Sequence, residues 1–250
     1  MKQTRQLVAV EGFGSGHRAA AYARRDLTAN TDYDDVVVFS FQDAINKPEE
    51  LAEMIHRRNV VAHSAGSLAI SRAMAEYPDA RPESMLLVAS PIPTDPARLI
   101  LRASNVFQGE LRDSSHSRED ARLNIIHTLA MGGELGRHAR THFGAIPAIS
   151  KFDSFEFGNE LIEEDIPVRM AAMTRDEFFL RSSQEFYDGF YGRKPELEVV
   201  SIEGRHCRFA QRPSRVMGEI AIASVIEYLP HPDRDKPSRS LWPEPEPLSA

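Results

Sequence analysis

The sequence predicts an α/β fold, a mostly parallel sheet with helices on both faces. Three observations predict it. Short apolar, β-branched runs recur along the chain, each bounded by glycine, proline or polar residues. Segments with helical periodicity fill the intervals between them, so consecutive strands are joined by crossovers rather than hairpins. Strands that alternate with helices imply a parallel sheet covered on both faces, and Val36–Phe39 is β-branched and apolar throughout, as a strand buried on both faces is.

The elements follow in order. Leu7–Val10 is the first strand and runs into Glu11-Gly12-Phe13-Gly14-Ser15-Gly16. Residues 16–25 read as a helix, and Val36–Phe39 as a strand buried on both faces. Residues 49–58 are helical in pattern, and Val60–Ala62 is a strand leading straight into a helix over 64–76. Met85–Ala89, Val168–Met173 and Leu197–Ile202 are three further strands, and residues 215–228 form the last helix. Between Pro91 and Asp165 no buried strand is evident. Helical patches at 96–103, 118–131 and 134–143, and an aromatic patch of Phe152, Phe155 and Phe157, predict a helical cap. The expected organisation is therefore a core of residues 1–90 and 166–229, a cap of 91–165, and a proline- and charge-rich tail of 230–250 that buries little.

Composition narrows the class. A chain of 250 residues can bury a substantial core, and its net charge of −7 argues against general nucleic-acid binding. The one cysteine, Cys207, cannot form an intrachain disulfide, and it is read as a structural neighbour of His206. Residues 1–6 are basic, but the apolar run after them stops at Val10, short for a signal peptide, and no stretch reaches the length of a membrane span. The expected location is the cytoplasm. The oligomeric state is not legible.

The chemistry centres on Ala62-His63-Ser64-Ala65-Gly66, at a strand-to-helix junction. A serine on so sharp a turn is held in a strained conformation that exposes its hydroxyl, and its neighbours at −2 and +2 must be small because the chain is crowded there. Ala62 and Gly66 meet that need, which makes Ser64 a candidate nucleophile. The plainer alternative is a helix whose N-cap is Ser64. A serine nucleophile needs a base and a group that orients the base. Asp176 and His206 each lie just past a predicted strand, where sites of open α/β sheets form, giving the order Ser64, Asp176, His206. Asp95, after the Met85–Ala89 strand, and Glu177 remain alternative acids. The oxyanion of a tetrahedral intermediate needs two backbone donors, assigned to Phe13 and Ala65.

Other readings weigh less. Gly12-x-Gly14-x-Gly16 follows a strand as a dinucleotide fingerprint would, but the third glycine is misplaced, its position being held by His17, and the next strand ends without a ribose-binding acid. His138 and His142, four apart, lack further ligands for a metal. His63 is expected to point away from the site. Arg98, Arg102, Arg112, Arg118 and Arg122 are expected to face solvent.

From about residue 7 to 229 the chain resembles the α/β-hydrolase superfamily, specifically compact esterase-like members with a helical cap. The resemblance rests on Gly12-Phe13-Gly14, on the Ala62–Gly66 turn, on Ile166-Pro167-Val168 leading to Asp176, and on Gly204-Arg205-His206 leading to Pro213. It implies a sheet that would normally begin two strands earlier, and Glu11 replaces the histidine that often precedes the oxyanion glycine. It further implies a small-molecule acyl substrate, no metal and no organic cofactor. The fold also hosts proteins without catalysis, so a silent ligand- or protein-binding module is the competing expectation.

Overall fold

The computed structural model describes residues 5–102, 132–133, 135–176, 197–206, 208–209 and 225–230. Its centre is a seven-stranded sheet in the order β2-β1-β3-β4-β5-β6-β7. The strands are β1 (Gln6–Val10), β2 (Asp35–Phe39), β3 (Asn59–His63), β4 (Ser84–Val88), β5 (Val168–Arg175), β6 (Glu198–Arg205) and β7 (Arg208–Phe209). β1 to β6 are parallel. β7 pairs antiparallel with β6, a short hairpin the sequence reading did not foresee.

The apolar runs form these strands because both faces are covered. Leu7, Ala9, Val61, Leu86 and Met173 lie on one side, packed with Leu27 of α1 (His17–Asn30) and with Val225 and Leu229. Val8, Val10, Val60, Ala62 and Leu87 lie on the other, in a core with Leu51 and Ile55 of α3 (Pro48–Ile55) and Ile70 of α4 (Gly66–Glu76). Successive residues thus alternate between two cores, the period-2 geometry of a strand. β2 departs from the expectation of burial on both faces. It is the edge strand, so Val37 and Val38 are only half-buried.

A short helix, α2 (Phe41–Asn46), was not foreseen. Ser40 caps it, its hydroxyl accepting from the Asp43 amide at 3.1 Å.

The segment expected to be a cap contains no strand among its described residues. It divides into two parts by packing. Residues 96–102 are helical, and α5 (Ala139–Ile149) places Ala145, Ile146 and Ile149 against Phe41, Ala65 and Leu68. α6 (Ser154–Glu163), by contrast, buries Phe155, Phe157 and Leu161 in the sheet core, as the crossover layer leading into β5. Phe155 and Phe157 therefore fasten this helix to the sheet and do not line a pocket over Ser64. The patches expected at 103 and 118–131, most of the last helix, Cys207, Glu177 and residues 231–250 of the tail lie outside the described residues. Among the described residues, no helix is long and apolar enough to cross a membrane.

The exposed side of α6 carries a charge load. Partial burial, then repulsion from Glu156, Glu164 and Glu163, raises the pKa of Glu160. A carboxyl whose pKa is raised by folding is destabilising once ionised, so its cost appears as pH rises and vanishes in acid. Glu160→Gln should therefore raise the melting temperature at neutral pH, and the gain should disappear on acidification. Parallel melts of the two proteins across that range check the sign.

Candidate active site

The sheet order alone locates a crevice. The chain leaves β1 toward β2 on one side and later returns to place β3 on the other, so the loops after β1 and β3 diverge at their carboxyl ends. Open parallel sheets bind ligands at such a switch point. The loop after β1 is Glu11–Gly16, and the turn after β3 carries Ser64.

The two segments are in contact. A Cβ placed on Gly12 would lie 2.6 Å from Ser64 Cβ and 3.2 Å from its Oγ, so only glycine lets the loop approach. Ser64 itself has φ 51°, the left-handed region that a non-glycine residue adopts at a cost. The surroundings hold it there. Its amide donates to the Val88 carbonyl at 2.8 Å. Its carbonyl accepts from the Ser67 hydroxyl at 2.8 Å and the Ser67 amide at 3.2 Å. Ser67 is a contributor that the sequence reading missed.

The demand for a small residue at Gly66 has a specific source. A Cβ there would sit 2.4 Å from the Val10 carbonyl oxygen, so α4 begins pressed against the end of β1. Gly66→Ala must move strand or helix, and the expected loss is about 1–3 kcal/mol, the usual cost of overpacking. Denaturant titration reads this directly. An unchanged midpoint would mean that the junction has slack the geometry does not show.

Asp176 and His206 arrive from the far strands. β5 and β6 lose register between Met173 and Arg175, a bulge immediately before Asp176, and bulges redirect side chains beside sites. His206 directly follows Arg205, the last residue of β6, where β6 and β7 pair antiparallel. The structure brings both to Ser64. His206 Nε2 is 2.8 Å from Ser64 Oγ, and His206 Nδ1 is 2.9 Å from Asp176 Oδ2. All three are at least 95% buried. An ionised carboxylate can only accept, so the proton belongs on Nδ1, and Nε2 is left to accept from the Ser64 hydroxyl. Asp95 is elsewhere. It is exposed, and its Oδ1 accepts from the amides of Ala97 and Arg98 at the start of the 96–102 helix.

His63 corrects an expectation. Instead of pointing away, its ring lies 5.5 Å from that of His206, and its Nε2 donates to the His206 carbonyl at 3.2 Å. Its Nδ1 is 3.8 Å from Glu11 Oε2. Both side chains are almost fully buried. Glu11 and His63 thus form a floor beneath the histidine turn.

Phe13 follows Gly12, the residue pressed against Ser64, and Ala65 follows Ser64 in sequence; Phe13 packs against the cluster that holds Ala65. The loop turns back through Ser15, whose amide donates to the Gly12 carbonyl at 3.1 Å and whose hydroxyl accepts from the Phe41 amide at 2.8 Å. Among the described residues, neither the Phe13 nor the Ala65 amide has a hydrogen-bond partner. No group of three or more His, Cys, Asp or Glu side chains suited to a metal occurs among the described residues; His142 is buried and His138 is half-buried.

Comparison with known proteins gives a consistent picture of the fold. No family model and no curated protein matches the sequence. Solved structures do match. An enol-lactonase from Burkholderia xenovorans aligns with a TM-score of 0.54 and 12% identity, over 90% of this chain and 91% of its own. A structure from work on carboxylesterases of the thaumarchaeon Nitrososphaera gargenis aligns at 0.51 and 17% identity, over 82% and 84% of the two chains. A protein ascribed to the α/β-hydrolase family from Desulfitobacterium hafniense aligns at 0.50 and 15% identity, over 90% and 96%.

Proposed function

The chain has the α/β-hydrolase fold, and from that premise we propose that it is a serine hydrolase acting on a carboxylic ester or related acyl compound. One observation carries the reading. A buried serine in a left-handed conformation faces a histidine at 2.8 Å, and a buried aspartate holds that histidine at 2.9 Å. A helix cap needs neither the strain nor the two partners.

The mechanism follows from the hydrogen bonds. His206 takes the Ser64 proton as Oγ attacks the carbonyl carbon, and Asp176 stabilises the imidazolium that forms. The Phe13 and Ala65 amides receive the oxyanion, where fixed dipoles in a site shielded from water are most effective. The intermediate collapses, the C–O bond to the leaving group breaks, and His206 returns the proton to the departing alcohol. Water then attacks the acyl carbon as His206 takes its proton, the bond to Ser64 Oγ breaks, and His206 returns the proton to Oγ as the carboxylic acid leaves. No step calls for a metal or organic cofactor.

α5 and the 96–102 helix share an apolar cluster with Ala65 and Leu68, next to Ser64 in the chain, and on this reading supply a wall for an acyl chain. Phe143 of α5 is 52% exposed, with its ring 6.3 Å from that of Phe13, so an apolar surface borders the proposed oxyanion loop. Turnover of p-nitrophenyl esters of graded chain length, with thioesters and amides alongside, tests the reading. Saturable turnover of at least one series is expected. Tight binding of such compounds with no turnover would favour the silent binding module instead.

A further inference from the structure

The inserted helix α5 reaches the proposed oxyanion loop through one side chain. His142 is completely buried on the face of α5 that also carries Ala145, Ile146 and Ile149. Its ring stacks on Phe41 at 5.7 Å and 25° and meets Phe13 edge-on at 5.3 Å and 78°. Its Nδ1 accepts from the Gly14 amide at 3.3 Å, across 128 residues of sequence.

The direction of that bond has two consequences. An amide can only donate, so Nδ1 carries no proton and the imidazole is neutral, with its hydrogen on Nε2. The Gly14 amide is also committed, which leaves the Phe13 amide as the donor that the loop can offer a substrate. Gly14 adopts φ 87°, so the peptide before it is turned by a conformation that glycine alone takes readily. The loop is then pinned on two sides. Ser15 Oγ ties it to α2, and His142 ties it to α5.

We propose that His142 is the positioning residue of the oxyanion loop, holding the Phe13 amide in place through Gly14 and coupling the inserted helix to the chemistry. The proposal rests on the serine hydrolase reading and deepens it. An oxyanion donor acts on the transition state and not on the bound ester. Loosening it should therefore lower kcat and leave KM nearly unchanged.

Three variants of the full chain separate the acceptor from the ring. Asparagine can place its amide oxygen where Nδ1 stands, glutamine places it farther out, and phenylalanine keeps the stacked ring with no acceptor. With an ester the wild type turns over, His142→Phe and His142→Gln should lose about 10- to 100-fold in kcat, part of the effect of deleting a donor outright. His142→Asn should stay within about threefold of wild type, as a restored acceptor would. Amide exchange at Gly14, read by NMR, should accelerate in the Phe and Gln variants and not in the Asn variant. If His142→Phe fails to fold, the Asn–Gln pair decides alone. Equal losses in Asn and Gln, wild-type kcat in Gln, or a loss confined to KM would each overturn the proposal while leaving the hydrolase reading intact. If the wild type turns over no ester, the hydrolase reading fails and the catalytic role with it. The exchange pattern still decides whether His142 pins the loop.

Discussion

Ser64→Ala should reduce ester turnover by about a millionfold, and His206→Ala should cost about as much, because residues that act as a unit lose their whole effect when either is removed. The side chain of Ser64 makes one hydrogen bond, to His206 Nε2. The features that hold the turn are backbone ones, the amide bond to Val88 and the carbonyl bonds from Ser67. Alanine leaves them in place, so the variant should fold with a stability change of no more than about 1.5 kcal/mol, the worth of one hydrogen bond. Steady-state kinetics with a p-nitrophenyl ester, beside a thermal melt, measures both quantities. Activity within about tenfold of wild type would remove Ser64 from the chemistry.

Asp176→Asn should lower kcat by about ten-thousandfold with little change in fold. Asp176 accepts from His206 Nδ1 at 2.9 Å, and both groups are 3% exposed. An amide can present an N–H to the ring instead, which favours the tautomer with hydrogen on Nε2. That tautomer cannot accept the Ser64 proton. Asp95→Asn is the matched control. Asp95 caps an exposed helix start, where asparagine caps equally well, so activity and stability should both stay near wild type. If the two variants exchanged their effects, the acid would be Asp95.

Much of the sheet was legible because burial on both faces leaves a plain signal. Leu7–Val10, Val60–Ala62 and Met85–Val88 are apolar at every position and appear as β1, β3 and β4. Boundaries were less clear where side chains turn polar while the ladder continues, as at Thr174 and Arg175 of β5. The helix α2 was missed because six residues are too few to show a period, although Ser40 with Asp43 three residues on was a usable cap signal. In α6, Phe155 and Phe157 stand two apart, which does not trace a helical stripe, yet both are buried against the sheet.

The candidate site divides in the same way. Ser64 announced itself through local crowding, and Gly66 against Val10 is that crowding seen directly. Two acids following two adjacent strands could not be ranked, because which one meets His206 depends on the bulge in β5 and on the docking of residues 96–102. His63 was misjudged. Alternation from Val61 puts its side chain on that strand face, and only the hairpin fold of β6 and β7 brings the His206 carbonyl to it. The link from His142 to Gly14 spans 128 residues and depends on where the insertion lands.

The most direct test of the account is reaction with a fluorophosphonate, followed by intact-protein and peptide mass spectrometry. A serine activated by a neighbouring imidazole should form one stoichiometric adduct, mapped to Ser64, that is absent in Ser64→Ala and forms far more slowly in His206→Ala. Folded wild-type protein that forms no adduct, or forms it at another residue, would contradict the claim that Ser64 and His206 work as nucleophile and base.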